Sequence, residues 1–116
     1  MVKVILRLEG LTSLSLAVGL YFFYAEGSWI LLVALILTPD ISMLGYVRNT
    51  RLGAIIYNLG HNYILAVAVS MSGVLLDSLL TTSLGLILVA HIGMDRAMEY
   101  GLKYSTHFKD THLSRL

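Results

Sequence analysis

Residues 53–76 read GAIIYNLGHNYILAVAVSMSGVLL, and this stretch contains no Asp, Glu, Lys or Arg. Because an α-helix rises about 1.5 Å per residue, a helix of this length would be about 36 Å long. The hydrocarbon core of a bilayer is about 30 Å thick. The stretch therefore predicts a helix that spans a membrane.

Three further stretches have the same apolar character, at about 4–24, 29–47 and 84–102. Over the whole chain 57% of the residues are hydrophobic and 13% are charged, whereas a soluble domain carries about a quarter charged residues. The connections are short, so neighbouring helices should pack antiparallel. The sequence predicts one all-α domain over residues 1–116, an integral membrane four-helix bundle that ends in a short amphipathic tail at 103–116.

The basic residues all fall on one side of this arrangement. They occupy the start of the chain, the second connection and the far end, and the other two connections hold none: Lys3, Arg7, Arg48, Arg51, Arg96, Lys103, Lys109 and Arg115. The positive-inside rule assigns such a side to the cytoplasm, so we expect both termini to be cytoplasmic. Topology accounts for these charges, and nucleic-acid binding is therefore not expected.

Five ionisable residues lie inside the predicted spans, where their burial is costly and calls for a reason. They come from all four helices: Glu9, Asp40, His61, His91 and Asp95. Their sequence positions place each of them roughly 8–15 Å inside the predicted cytoplasmic boundary. Residues from four helices at one depth could converge in a single polar pocket.

The residue types in this set are those of a metal site without thiolates, because the chain contains no cysteine. Imidazole and carboxylate ligands suit zinc, iron or manganese. On this interpretation His61, His91 and Asp95 are metal ligands, and Glu9 and Asp40 are the catalytic carboxylates that act as general base or additional ligand. The same residues would also suit interhelical hydrogen bonds that only hold the helices together.

Other polar residues near the same level are candidates for contacts with a substrate. Asn58 and Asn62 flank His61 on the third helix. Three arginines could hold an anionic head group by charge-assisted contacts: Arg7, Arg48 and Arg51. In the tail, Asp110 and His112 could reach inward as a cap over the pocket. The alternative for the tail is an interfacial segment that lies on anionic lipid.

Six segments of the chain form a recognisable pattern: Arg7-Leu8-Glu9-Gly10, residues 39–46, Tyr57-Asn58-Leu59-Gly60-His61, residues 90–96, Tyr100-Gly101-Leu102-Lys103-Tyr104 and residues 108–113. Together they resemble a family of small bacterial membrane proteins, the domain-of-unknown-function 4260 family. The resemblance covers almost the whole chain. It implies a multi-pass protein of the bacterial inner membrane, and it implies no particular activity.

A second resemblance is to membrane-bound metal-dependent hydrolases of the YdjM type. That family has a Pro-Asp motif that closes one helix, a His-rich motif that opens the next, and a later His-x-x-x-Asp motif followed by a glycine. Pro39-Asp40, His61, residues 91–95 and Gly101 stand in that order here. This chain has Ser42 where that family has a second acidic residue, and one histidine in place of two. The resemblance implies hydrolysis with the help of a divalent metal.

Three functions are therefore open. The leading hypothesis is a metal-dependent hydrolase at the cytoplasmic leaflet that acts on a lipid-like or anionic small molecule. The second is a small proton or metal transporter or an ion-conducting protein; four helices are few for this role unless the chain forms a homo-oligomer. The third is a non-catalytic scaffold or accessory subunit, whose polar cluster only locks the helices together.

Overall fold

The helices of this protein fall into six segments in a computed structural model, which describes residues 1–105 and 109–116. The segments are α1 Val2–Phe23, α2 Trp29–Leu35, a 3-10 helix Thr38–Val47, α3 Thr50–Gly60, α4 Tyr63–Leu75 and α5 Leu79–Ala97. No strand occurs in the described parts of the chain, and one isolated antiparallel bridge pairs Lys103 with Thr111.

Four spans are long and apolar enough to cross a membrane: Val2–Phe23, Trp29–Val47, Thr50–Leu75 and Leu79–Ala97. This confirms the prediction of an all-α, four-span membrane protein. The Arg7 side chain donates a hydrogen bond to the carbonyl of Ala97 at 3.0 Å, so the start of α1 and the end of α5 lie together. The assignment of this end to the cytoplasm stays a prediction.

The central element of the bundle is α5, which packs against both α1 and α4. In the most apolar stretch of 18 residues in α5, 61% of the residues are buried, whereas the corresponding stretch of α1 has 17% buried. The close approach of α1 and α5 depends on Gly10 and Gly93, because a methyl group on either would collide with backbone atoms of the other helix. The helices that surround α5 leave most of their remaining surface to the lipid.

The observed bounds of α5 differ from the predicted 84–102, because it begins at Leu79 and ends at Ala97. The Ser78 side chain caps the start by accepting a hydrogen bond from the Thr81 backbone N–H. The end is set by Glu99, whose φ of 70° lies in the left-handed region. Threonine and serine residues that looked like a turn in the sequence therefore belong to the first turns of the helix.

The second span changes from α-helix to 3-10 helix around Pro39. Proline has no N–H to donate to the carbonyl of Leu35, and the Thr38 hydroxyl donates to that carbonyl instead, at 2.7 Å. The Asp40 N–H then bonds to the carbonyl of Leu37 at 3.1 Å. Because this bond replaces the α-helical one, the carbonyl of Ile36 is left available to another side chain.

The third span, predicted over 53–76, runs from Thr50 to Leu75 and is built of two helices. The chain forms α3 and α4 in this region, separated at His61 and Asn62. The Asn62 side chain caps α4 by accepting from the Leu65 N–H at 2.8 Å. The apolar composition continues across the break, so hydropathy alone does not reveal it.

Side chains donate hydrogen bonds to the carbonyl groups around the break. The Asn62 amide donates to the carbonyls of Asn58 and Leu59, at 2.9 and 3.0 Å. The Arg96 guanidinium donates to the carbonyl of His61 at 3.1 Å. An unpaired carbonyl in a membrane is costly, so these contacts make the break a stable feature.

The tail folds back on the bundle. Leu102 and His112 exchange two hydrogen bonds, at 2.8 Å to the imidazole and 3.0 Å between backbones, and the Leu113 side chain is fully buried. The predicted tail at 103–116 includes residues 106–108, which lie outside the described residues.

Candidate metal centre

Four ionisable side chains converge between three spans. One comes from the 3-10 helix, one from the α3–α4 break and two from α5: Asp40, His61, His91 and Asp95. Each offers one nitrogen or oxygen atom, and these four atoms all lie within 4.8 Å of one another. His91 and Asp95 are one helical turn apart on α5. This group could hold a metal ion.

Five of the six distances between these atoms are near those of a tetrahedral ligand set, and the sixth, between Asp40 and Asp95, lies within 4.8 Å. The Nε2 atoms of His61 and His91 are 3.1 Å apart, and Asp40 Oδ1 is 3.2 Å from each of them. Asp95 Oδ2 is 3.2 Å from His91 Nε2 and 3.7 Å from His61 Nε2. A tetrahedron with metal–ligand bonds of about 2.0 Å has edges of about 3.3 Å.

The outer nitrogens of both imidazoles face hydrogen-bond acceptors. Nδ1 of His91 lies 2.6 Å from the carbonyl of Ile36, which the 3-10 helix left free. Nδ1 of His61 lies 2.9 Å from the carbonyl of Tyr57. A carbonyl can only accept, so each Nδ1 must carry the hydrogen. In a neutral imidazole the inward Nε2 then presents a lone pair.

Lone pairs and carboxylate oxygens therefore face one another across the centre of the group. Four acceptors at such distances repel, and a cation between them removes the repulsion. Backbone carbonyls that orient metal-ligating histidines are a common second layer of metal sites. The Tyr57 hydroxyl adds a contact of 3.4 Å to Asp95 Oδ2. The donor set and its orientation both fit a bound cation.

Burial separates one of the four residues from the others. The side chains of His61 and His91 are fully buried, and that of Asp95 is 9% exposed. The Asp40 side chain is 38% exposed. Asp40 is therefore the side on which the group opens to its surroundings.

A fifth side chain next to the group, Lys103, was not predicted as a site residue. The residue is 7% exposed, and its ammonium lies 4.5 Å from the centre of the Tyr57 ring. The same ring stacks on His61, with 3.7 Å between ring centres. Asn58 holds the Lys103 backbone from both sides, donating to its carbonyl at 2.8 Å and accepting from its N–H at 2.6 Å.

Two features act on the pKa of Lys103: its burial and the nearby four-residue group of Asp40, His61, His91 and Asp95, called the metal group below. Burial lowers the pKa of the Lys103 ammonium, and the carboxylates of Asp95 and Asp40 act in the opposite direction. The ammonium thus feels the negative charge of the group through space. In the sequence Lys103 resembles an interfacial lysine of the tail, and only the folding of the tail onto α3 brings it to the site.

Glu9 was predicted at the same depth, but it is not a member of the four-residue group. It lies on the exposed face of α1 and lines a separate cleft of about 530 Å³ together with Tyr63. Depth in the membrane was predicted from residue count, whereas the direction in which a side chain points depends on how each helix is rotated.

The three predicted arginines also lie away from the group. Arg7 pairs with Glu99 at 3.2 Å and bonds to the end of α5. Arg48 and Arg51 are exposed and line a shallow cleft at the start of α3.

The remaining predicted polar residues make hydrogen bonds within the chain. The Asn58 amide binds the backbone of Lys103, and the Asn62 amide spans the helix break. In the tail, Asp110 forms two hydrogen bonds with Arg115, at 2.8 and 2.7 Å. His112 accepts from the N–H of Leu102.

Comparison with known proteins gives a family and no further relatives. No curated protein matches the chain, and no solved structure matches it. One family model matches residues 3–116, which is almost the full length, and it confirms the first of the two resemblances seen in the sequence. The chain belongs to the family described as Domain of unknown function (DUF4260).

Proposed function

We propose that the protein is a metal-dependent hydrolase embedded in the bacterial inner membrane, with its site in the cytoplasmic leaflet. The observation that carries the proposal is the unequal burial of the four converging residues. Two imidazoles and one carboxylate are enclosed, while the Asp40 carboxylate is partly open. Catalytic zinc sites typically use three protein ligands and keep one position open.

The enclosed residues have the composition of a site for zinc, with iron and manganese as the other candidates. His61, His91 and Asp95 would hold the ion. A bound divalent ion supplies Lewis acidity and lowers the pKa of a water molecule to about 7. The Nδ1–carbonyl contacts of both histidines fix the ring orientations before an ion arrives, so little reorganisation accompanies binding.

Asp40 would act as the general base. Its Oδ1 atom, which lies 3.2 Å from both inward nitrogens, would leave the fourth position to a water molecule and accept a proton from it. Hydrolysis transfers the hydroxyl of water to the acyl or phosphoryl centre. The proton taken up by Asp40 passes to the leaving oxygen, which departs as an alcohol.

An apolar groove beside the group supports a lipid-like substrate. The groove has a volume of about 390 Å³ and is lined mainly by apolar side chains of α4 and α5, including Leu65, Val69 and Leu84. The lining also includes Thr38, Pro39 and Ser42 of the 3-10 helix that carries Asp40. An acyl chain in this groove would bring an attached ester or phosphoester to Asp40.

The first test measures metal content by inductively coupled plasma mass spectrometry on detergent-purified protein. Wild type, His91→Ala and the control His112→Ala are compared, because His112 is a histidine outside the group. We expect near-stoichiometric zinc, iron or manganese in wild type and control, and none in His91→Ala. Folded wild-type protein without metal would overturn the proposal.

The second test measures hydrolysis of ester and phosphoester substrates by the metal-loaded protein. Asp40→Asn should keep the metal and lose activity, whereas His91→Ala should lose both. Activity that survives in Asp40→Asn would contradict the role of this residue. Metal-loaded wild type that hydrolyses neither class of substrate would contradict the hydrolase itself.

A second candidate function is metal-ion transport. The second and third spans are both interrupted at the level of the four-residue group, and this observation favours transport. Interrupted helices form the ion sites of many transporters. Metal flux into proteoliposomes would favour this function. If Asp95→Asn lowers stability and changes neither metal content, flux nor hydrolysis, the group only locks the helices together.

A further inference from the structure

A furrow runs between α1 and α4 on the surface of the bundle. Both helices pack against α5, but they make few contacts with each other, so α5 forms the floor between them. Two clefts lie along the furrow, and residues of both helices line each of them. Glu9 and Tyr63 line one cleft, and Leu20 and Val74 line the other. The two clefts are 11 positions apart on each helix, which corresponds to about 16 Å of length.

The cleft at Leu20 and Val74 is apolar and has a volume of about 320 Å³. The hydroxyls of Ser70 and Thr82 at this cleft donate to backbone carbonyls of their own helices, at 2.9 and 3.0 Å. The other lining side chains are aliphatic or aromatic: Leu20, Tyr24, Met71, Val74 and Leu86. This end of the furrow therefore suits an acyl chain.

The cleft at Glu9 and Tyr63 is polar and has a volume of about 530 Å³. It lies close to the charged end of the bundle, where Lys3 and Arg7 pair with Glu99. Long basic side chains near helix ends reach the membrane interface. Glu9 follows Arg7 by two residues and lies about 3 Å further along α1. A lipid head group can therefore reach this cleft.

Two polar groups at this cleft lack partners in the chain. The Glu9 carboxylate forms no ion pair within the described residues, because Lys3 and Arg7 pair with Glu99 and the Arg96 guanidinium donates to backbone carbonyls. The Tyr63 hydroxyl is buried and has no hydrogen-bond partner. Buried polar groups in folded proteins are nearly always satisfied, so these two groups indicate a ligand that supplies what is missing.

The polar atoms of α1 at this cleft are hydrogen-bond acceptors. The Thr12 hydroxyl donates to the carbonyl of Leu8 at 2.8 Å. The Ser13 hydroxyl donates to the carbonyl of Glu9 at 2.9 Å. With their hydrogens used in this way, both oxygens present lone pairs, as does an ionised carboxylate. A primary ammonium has three N–H donors and a positive charge, and it matches this set. A quaternary ammonium has the charge without the donors.

We propose that the furrow binds one membrane lipid whose head group carries a primary ammonium, with the ammonium at Glu9 and an acyl chain in the apolar cleft. A lipid would occupy both clefts, whereas a soluble amine would need only the polar one. The furrow shares no lining residue with the groove beside Asp40. Lipid binding here is therefore independent of the metal group and of the proposed hydrolysis.

The test uses the full chain in a non-ionic detergent, with bound lipids counted by native mass spectrometry. Four lipids with identical acyl chains are compared: phosphatidylethanolamine, its N-methyl and N,N-dimethyl derivatives, and phosphatidylcholine. The four head groups carry the same charges, and each methyl group removes one N–H. Wild type is compared with Glu9→Gln and with the control Glu99→Gln, which removes a carboxylate that is already paired. Thermal unfolding verifies that each variant is folded.

Wild type should bind phosphatidylethanolamine about tenfold more tightly than phosphatidylcholine, with a loss of affinity at each methylation. Glu9→Gln should lose most of this preference, and Glu99→Gln should keep it. Equal affinity of wild type for the four lipids would overturn the proposal. A preference that survives in Glu9→Gln would overturn it as well.

A second comparison tests the apolar cleft. Val74→Trp fills this cleft and should weaken the binding of all four lipids severalfold without changing their order. Val67→Trp, at an exposed position of α4 outside the furrow, should have no effect. Unchanged affinities in Val74→Trp would overturn the placement of the acyl chain.

Two other occupants of the furrow would be recognised in the same experiments. Soluble ethanolamine that displaces phosphatidylethanolamine at equal concentration would assign the polar cleft to a soluble amine. A lipid-free dimer of wild type that dissociates in Glu9→Gln would assign it to a second copy of the chain. Either result would overturn the proposal.

Discussion

The continuous and the interrupted spans of this bundle have different roles. The continuous spans, α1 and α5, cross closely at Gly10 and Gly93 and form the rigid part of the packing. The second and third spans each change conformation midway, at residues 36–38 and 61–62. The two interruptions lie next to Asp40 and at His61, the residues that these spans contribute to the metal group.

The difference explains how a short membrane protein can build a polar group with fixed orientation. A continuous helix satisfies its own carbonyls and has none to offer. The interruptions release the carbonyls of Ile36 and Tyr57, and these orient the imidazoles of His91 and His61. The continuous α5 supplies His91 and Asp95 at fixed spacing, and the interrupted spans supply the carbonyls that orient the two imidazoles.

The largest effect is expected for Arg96→Met, which removes the link from the rigid helix to the helix break. The guanidinium donates to the carbonyls of His61 and Tyr100, at 3.1 and 2.9 Å. Leaving the buried carbonyl of His61 and the part-buried carbonyl of Tyr100 unpaired should lower the free energy of unfolding by about 2–4 kcal/mol. The measurement is unfolding in mixed micelles with increasing dodecyl sulfate. The exposed Arg48→Met is the control, and a loss of similar size in both would contradict this role.

The next effect concerns the continuous spans alone. A methyl group at Gly93 would collide with the backbone of α1, so Gly93→Ala should cost about 1–3 kcal/mol of unfolding free energy. Gly19 on α1 is the matched control, because an added methyl group there meets no atom within 4 Å. Gly19→Ala should be neutral or slightly stabilising. If both variants behave alike in the same unfolding assay, the close crossing is not what holds these helices together.

Asn62→Ala tests the break in the third span. The change removes the cap of α4 and the donor to the carbonyls of Asn58 and Leu59. A lost cap costs about 1 kcal/mol. The Leu59 carbonyl also loses its side-chain donor, which should raise the total to about 2 kcal/mol, whereas the Asn58 carbonyl still accepts from the His61 N–H at 3.3 Å. Asn49→Ala removes only a cap at an exposed helix start, and a smaller loss is expected. Equal losses would show that the carbonyls at the break gain nothing from Asn62.

Pro39→Ala tests the interruption of the second span. Alanine restores a backbone donor at this position, which favours continued α-helix and draws the Ile36 carbonyl into a helical bond. The His91 imidazole then loses its orienting partner, and metal affinity should fall about tenfold with little change in stability. Competition with a chelator of known affinity gives the measurement. Ile41→Ala, at an exposed position of the same 3-10 helix, should leave the affinity unchanged.

The smallest effect is expected for Glu99→Gln at the end of α5. Glu99 pairs with Lys3 at 3.7 Å and with Arg7 at 3.2 Å, and all three side chains are between 34% and 48% exposed. Such pairs contribute less than about 1 kcal/mol, and salt screens them. The loss should shrink further when unfolding is measured at high ionic strength. A large, salt-independent loss would make this contact part of the rigid packing.

The four spans could be predicted because membrane insertion depends on local composition. Lipid requires about 20 apolar residues per helix, and each stretch contains them. The interruptions were harder to predict. Pro39 indicates the first, since it lacks an N–H, whereas the second has only Gly60 and Asn62 as signals within an apolar sequence.

The sequence predicted the four residues that converge, but it did not show which other residues lie beside them or away from them. Residue counting gives the depth of a side chain, and Asp40, His61, His91 and Asp95 share one level. Glu9 shares that level too, yet it lies on the exposed face of α1, because rotation about a helix axis is set by packing. Lys103 could not be predicted, because its position depends on how the tail folds onto Asn58.

The two interruptions lie at one level. Residues 38–60 between them therefore form a hairpin that extends through about half the thickness of the membrane. Its two arms, the 3-10 helix and α3, pack against each other. Asp40 lies on this hairpin and His61 directly follows it, while His91 and Asp95 lie on α5. An ion held by His61, His91 and Asp95 would therefore tie the end of the hairpin to α5.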